Sequence, residues 1–235
     1  MANIIQFIRN VRGGLIHGGS WFDILLFIRW RNNLRPGVDS VSRRLPWLSI
    51  RAVDFLNREI RPEFSVFEYG GGGSTLFWNS RVRRLVTVEH DATWFSILKG
   101  KLESELKCEW TGIFIEPSNG DLVNKPDAAE PEHYTSMDAA SRGRNYKDYV
   151  KSILQFSDES FDIILIDGRC RTSCIRDAFP KLKIGGLLVL DNAEREYYSI
   201  NNESVFQKCR IELMGMGPVY FSPQFSETKI YRRIE

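Results

Sequence analysis

Val66-Phe-Glu-Tyr-Gly-Gly-Gly-Gly-Ser-Thr-Leu-Phe-Trp78 joins a short apolar run to an acidic residue and four consecutive glycines. Twenty-one residues beyond Glu68, the run Leu85-Val-Thr-Val-Glu89 ends in a second carboxylate. A strand, a glycine turn, a helix and a strand ending in an acid form the first half of a nucleotide-binding α/β fold. Glycines serve such a turn because they tolerate positive φ and let the backbone approach a ligand closely. A carboxylate at the position of Glu89 can accept both hydroxyls of a ribose.

Glu68 bears on which nucleoside is bound. A dinucleotide turn cradles a pyrophosphate on a helix N-terminus, and an acid two residues before the first glycine adds repulsion there. The third glycine of G-x-G-x-x-G is also missing, since Thr75 stands where it would fall after Gly70 and Gly72. A ligand bearing an ammonium and a sulfonium suits this loop better than a diphosphate does, which describes S-adenosylmethionine.

With Glu68, Gly70 and Gly72 as an E-x-G-x-G motif and Glu89 as a ribose-binding acid, the chain resembles the class I S-adenosylmethionine-dependent methyltransferases. The likeness continues through Phe161-Asp-Ile-Ile-Leu-Ile-Asp-Gly168 and Gly185-Gly-Leu-Leu-Val-Leu-Asp-Asn192 and covers residues 46–235. It implies a Rossmann-like three-layer α/β sandwich with a mostly parallel seven-stranded sheet ending in an antiparallel hairpin. Within this pattern Ser74 is expected to meet the cofactor carboxylate or cap a helix, and His90 to flank the adenine or to stand at a solvent-facing helix start.

The 235 residues are 43% hydrophobic and 26% charged, enough for one well-buried domain and too few for a second full one. A net charge of +2 makes no general case for a nucleic-acid partner. The charge is unevenly placed, with ten Arg, no Lys and four acids in residues 1–62. Residues 1–45 are expected to form an accessory helical segment. Its run Trp21-Phe-Asp-Ile-Leu-Leu-Phe-Ile-Arg-Trp30 is too short to span a bilayer, and Arg9 and Arg12 interrupt any signal-peptide core. Two readings stay open: an amphipathic helix on an anionic membrane surface, or one packed on the domain or a second subunit. Cys108, Cys170, Cys174 and Cys209 form no C-x-x-C pair, so reduced thiols and a cytoplasmic location are expected.

Further strands are expected at 108–115, 161–166 and 187–190, and a terminal pair at Gly217–Phe221 and Thr228–Arg232. Residues 116–145, with Pro117, Asn119-Gly120, Pro126 and Pro131, lack periodicity and form a long loop expected to close over an acceptor.

Ligands of open α/β sheets sit beyond the carboxyl ends of the strands. Asp167, Asp191 and Asn192 fall there and are hard oxygen ligands of the kind Mg²⁺ or another divalent cation prefers. In this respect the chain is similar to the catechol-type O-methyltransferases, which implies metal ligation by those three and a catalytic part for Asp167 and Asp191. It departs from them after Asp167, where Gly168-Arg-Cys-Arg171 offers no Lys or His. Without a metal, Asp167 would cap a helix or order the cofactor. His133 is the histidine placed to act as base, and Tyr146 to shape the acceptor pocket. Arg169 and Arg171 suit an anionic acceptor, such as a uronic acid or a phosphorylated sugar, or else pair with nearby acids. The reaction expected is O-methylation of a small-molecule or glycan-type acceptor. An oxidoreductase using NAD or a nucleotide sugar, and a non-catalytic S-adenosylmethionine-binding module, remain open.

Overall fold

Ser65–Tyr69 (β1) is buried on both faces, as a central strand of a parallel sheet must be when helices cover it from either side. In the computed structural model, which describes residues 3–120 and 124–235, it pairs in parallel with Arg84–Glu89 (β2) and Phe161–Ile166 (β4). Glu109–Phe114 (β3) flanks β2, and the long strand Leu182–Asp191 (β5) flanks β4. Thr228–Arg233 (β7) then enters antiparallel between β5 and Cys209–Leu213 (β6). The order is β3-β2-β1-β4-β5-β7-β6, which matches the expected mostly parallel, seven-stranded Rossmann-like sandwich.

Two apolar layers hold the sheet. On one side Phe67, Tyr69, Ile164, Ile166 and Leu190 meet Lys147–Lys151 (α7) and Arg171–Ala178 (α8) through Tyr149, Cys174 and Ile175. On the other, Val66, Leu85, Ile163 and Val189 meet Ile50–Glu59 (α4) and Gly73–Asn79 (α5). Phe7, Val11 and Trp30 belong to this second layer. They come from Ile4–Leu15 (α1) and Phe27–Asn32 (α2), so the N-terminal helices share the core of the sheet.

The terminal hairpin differs from the sequence expectation. Gly217-Pro218 pairs not with β7 but with Phe225-Ser226 in a small separate ribbon. The true partner of β7 is β6, whose exposed Arg210 and half-buried, charged Glu212 hide its alternation. Helix α4 begins at Ile50. Ser49 caps it by accepting from the Ala52 N–H, while Leu48 and Ser49 bond to Tyr220 and Thr228.

The 116–145 segment, of which 121–123 lie outside the described residues, reaches the end of β4 through Asp138, which pairs with Arg169 at 3.0 Å. Its ends form a ribbon between Ser118-Asn119 and Arg144-Asn145, and its middle is tied to the helix side of α8. There the Thr172 hydroxyl donates to the Ala128 carbonyl, and Arg176 reaches Glu132 and the Tyr134 hydroxyl.

Candidate functional site

Where β1, β2, β4 and β5 end, a cavity of about 840 Å³ opens. Its floor is the glycine loop Gly70–Gly73 and its far wall is built from Val219, Ser222, Gln224, Phe225 and Ser226. The loop is tightly fitted. Gly70 has φ +89°, and a Cβ on Gly71 would lie 2.7 Å from Leu98 and 2.9 Å from Thr87. A Cβ on Gly73 would collide with the Ser40 and Leu45 carbonyls, so the segment around Ser40–Arg43 (α3) rests directly on the loop.

Three N–H groups of this loop are consumed within the protein. Gly70 donates to the Val88 carbonyl at 2.9 Å, Gly71 to Glu89 Oε2 at 2.8 Å, and Gly72 to the Thr75 hydroxyl at 3.0 Å. A pyrophosphate would find none of these three donors free, and would meet a carboxylate instead. Glu89 is further held by the N–H groups of His90 and Asp91, at 2.7 and 2.8 Å from Oε1. Burial alone would push Glu89 up, but these hydrogen bonds and the nearby His90 bring it below the ordinary carboxylate value.

Glu68 does not reach the cavity. Its side chain is fully buried beneath the loop, where Oε1 accepts from the Thr75 hydroxyl at 2.5 Å and the Thr87 hydroxyl at 2.9 Å, while Oε2 has no partner. Direct cofactor contact by Glu68 is therefore corrected to a tie between β1, β2 and α5. Burial raises its pKa to about 7 despite those hydroxyls.

Arg171, the first residue of α8, joins the ends of β4 and β5. Nη2 lies 2.9 Å from Asp167 Oδ1, Nη1 lies 3.5 Å from Asp191 Oδ2, and Nε donates to the Gly168 carbonyl at 3.1 Å. Nη1 also donates to the Asp191 carbonyl. Asp191 Oδ1 accepts from Thr228 at 2.8 Å. Burial first, and then the facing Asp191 charge, push Asp167 well up against the pull of Arg171. Burial likewise raises Asp191. Arg171 is itself held more firmly protonated by the two acids than its burial would allow.

Of the residues singled out from sequence, Gly70, Gly72, Ser74, Glu89, His90, Asp167, Arg169, Arg171, Asp191 and Asn192 line one cavity. His133 and Tyr146 do not line it. His133 Nδ1 accepts from the Asp127 N–H at 3.0 Å within the 116–145 segment, which corrects its expected place as a base. Tyr146 is buried, with its hydroxyl 2.7 Å from that of Ser141 and its ring against His90, so it supports the site from behind and does not form the acceptor pocket. Arg169 borders the cavity but is paired with Asp138 at 3.0 Å.

Trp94, not among the residues expected at the site, lines the cavity and donates from its indole to the Gly71 carbonyl at 2.5 Å. Asp91, Glu194 and Arg195 were also missed. Glu89-His-Asp91 was a legible signal, because a polar run after a strand end falls at the ligand edge. Trp47 and the 219–226 wall carried no local signal, because tertiary packing alone places them there.

As a donor set for a divalent cation, Asp167, Asp191 and Asn192 fit poorly. A permanent guanidinium charge already sits between the two carboxylates, and a second cation there would be repelled by it. Among the described residues, no three His, Cys, Asp or Glu side chains come together in a group able to hold a metal ion.

No family model matches the sequence, and no curated protein matches it. Solved structures do resemble the fold. A methyltransferase-like protein from Silicibacter pomeroyi is 20% identical over 86% of this chain and 88% of its own, with a TM-score of 0.49. A Streptococcus mutans protein described as a methyltransferase and solved in complex with SAH is 12% identical over 76% of this chain and 94% of its own, with a TM-score of 0.49. The structure of PH0851 is 10% identical over 77% of this chain and 45% of its own, with a TM-score of 0.52. At these identities the likeness is one of fold. The strand order and the antiparallel β7 themselves make the architecture a Rossmann-like sandwich.

Proposed function

We propose that this chain is an S-adenosylmethionine-dependent methyltransferase that acts on a hydroxyl of a small-molecule or glycan-type acceptor. The observation that carries this reading is the glycine loop, which offers the cavity close backbone and the Glu89 carboxylate but spends the N–H donors of Gly70, Gly71 and Gly72 internally. The charge of the cavity agrees with a cationic ligand. Glu89, Asp91, Asp167, Asp191 and Glu194 line it against three arginines, one of them already held between Asp167 and Asp191.

Gly70–Gly72 would lie under the cofactor, with Glu89 accepting from the ribose hydroxyls and Trp94 closing the loop from above. When bound, the cofactor supplies an electrophilic methyl on a sulfonium. Asp167 would hold the acceptor hydroxyl and take its proton at the carboxylate oxygen not bonded to Arg171. Its raised pKa gives it more proton affinity than an exposed carboxylate has. Arg171 takes the electrostatic place a metal would fill, by keeping two acids together at one edge.

An anionic acceptor would be met by Arg195, and neither by Arg171 nor by Arg169. Arg195 borders the cavity, is exposed, and has no ion pair among the described residues, its guanidinium donating to the Tyr198 hydroxyl at 3.0 Å.

Calorimetric titration of the purified chain with S-adenosylmethionine, S-adenosylhomocysteine and NADH tests the reading. Saturable binding of both adenosyl ligands without NADH binding is expected, and with no change when Mg²⁺ is added. Tight NADH binding, or no adenosyl binding, would overturn it.

A further inference from the structure

Among the described residues, the most exposed large apolar side chains are Ile16 at 82%, Phe22 at 80% and Leu25 at 77%. Ile5, Trp21 and Ile28 are also exposed, so the set falls within residues 4–28. It comes from two neighbouring pieces, helix α1 and the 3-10 turn Trp21–Leu26 that leads into α2. Their inner sides are fully used. Phe7 packs on Phe27 and Trp30 with ring centroids 5.3 and 4.8 Å apart, so the outer residues are surplus to the core.

The charges on the same segment are one-sided. Asp23, the sole acid between residues 3 and 35, is buried and lies 3.3 Å from Arg51. Arg29 is neutralised by Asp54 at 2.8 Å. That leaves Arg9, Arg12, Arg31 and Arg35 exposed, with no ion pair among the described residues. An apolar outer surface among unpaired cations, with no exposed acid between residues 3 and 35, is the composition of an interfacial anchor.

We propose that the outer face of residues 4–28 docks on an anionic phospholipid bilayer, with Phe22 and Leu25 entering the headgroup boundary and the arginines meeting lipid phosphates. A second copy of the chain is a poorer occupant. A two-fold contact through this face would set the same unpaired arginines against each other. A nucleic acid would satisfy the arginines but leave Ile5, Ile16, Leu25 and Ile28 in water. No helix among the described residues is long and apolar enough to cross a membrane, so the contact lies at the surface. Docking also has a consequence for the cavity. The inner side of this layer holds its far wall, through the Trp30 indole on the Ser222 carbonyl at 2.8 Å and the Phe7 and Trp30 rings against Phe225. The bilayer would then sit one layer of side chains behind that wall.

Co-sedimentation of the full chain with vesicles tests this, using phosphatidylcholine alone and phosphatidylcholine mixed with phosphatidylglycerol. Binding to the mixed vesicles only is expected, weakened by salt. The double variant Phe22→Ser with Leu25→Ser should bind about tenfold or more weakly, and Arg9→Gln with Arg12→Gln should lose about half of the salt dependence. Both pairs are exposed, so thermal unfolding should be unchanged. No sedimentation of the intact chain with mixed vesicles would overturn the proposal, as would equal binding of the intact chain and the Phe22/Leu25 variant. So would a dimer that the Phe22/Leu25 variant converts to a monomer. These outcomes do not depend on adenosyl binding, so the docking and the methyltransferase reading fail separately.

Discussion

Without its guanidinium, Arg171 would leave Asp167 and Asp191 sharing a largely buried edge with no cation between them. Arg171→Met is expected to destabilise the fold by about 3–5 kcal/mol, the cost of orphaning buried charges. The loss should depend on pH with a definite sign. Both acids have folded values raised above 3.8, so ionising them opposes folding, and removing Arg171 raises them further. The variant's deficit should therefore be smallest below the unfolded value of 3.8 and grow as pH rises through the folded values. Urea unfolding across that range checks it, and a deficit independent of pH would remove the charge argument. Asp167→Asn separates catalysis from stability. It keeps the Arg171–Asp191 pair and removes the proton acceptor, so turnover should fall by about 10²–10⁴-fold while S-adenosylhomocysteine affinity holds. An unaltered product rate would end the assignment of Asp167 as base.

At the level of elements, the strand–turn–helix unit shows what a sequence pattern can and cannot carry. The glycines, the acid at Glu89 and the strand ends at Asp167 and Asp191 were legible, because alternation and composition fix where a strand stops. The direction of Glu68 was not, because a side chain two residues before the loop reaches the ligand only if the sheet face it points to is open. Here α5 closes that face, and Thr75 and Thr87 receive the carboxylate. The outcome is a buried acid with a folded pKa of about 7 against 4.5 in its ordinary state. A raised carboxylate is least costly below 4.5, and its contribution to stability is lost as pH rises through about 7. Glu68→Gln mimics the protonated form. It should therefore match the parent below 4.5 and exceed it above 7, by at most about 3 kcal/mol. Thermal melts at the two ends of that window decide it, and parallel curves would mean that Glu68 titrates normally. Strand β6 was missed for a related reason: an edge strand carries its charges outward, so Arg210 and Glu212 masked a strand that the register with β7 makes plain.

Across the whole molecule, the N-terminal helices, the 219–226 segment and the sheet edge form one continuous structure around the cavity. None of that was readable locally, since residues more than 190 positions apart meet only after folding, as Trp30 and Ser222 do. Trp30 is fully buried and touches Phe7, Phe27 and Phe225, the last of which lines the cavity. Trp30→Ala should cost about 3–5 kcal/mol as a large core truncation. It should also loosen the wall at Ser222–Ser226. Leu56→Ala, equally buried in the same layer but on α4, provides a control of about 2–5 kcal/mol. Measured well below both unfolding midpoints, S-adenosylhomocysteine affinity should fall in Trp30→Ala and remain near the parent value in Leu56→Ala. A loss common to both would trace affinity to general stability. A loss in neither would mean that the 222–226 wall encloses the cavity without contributing to what binds there.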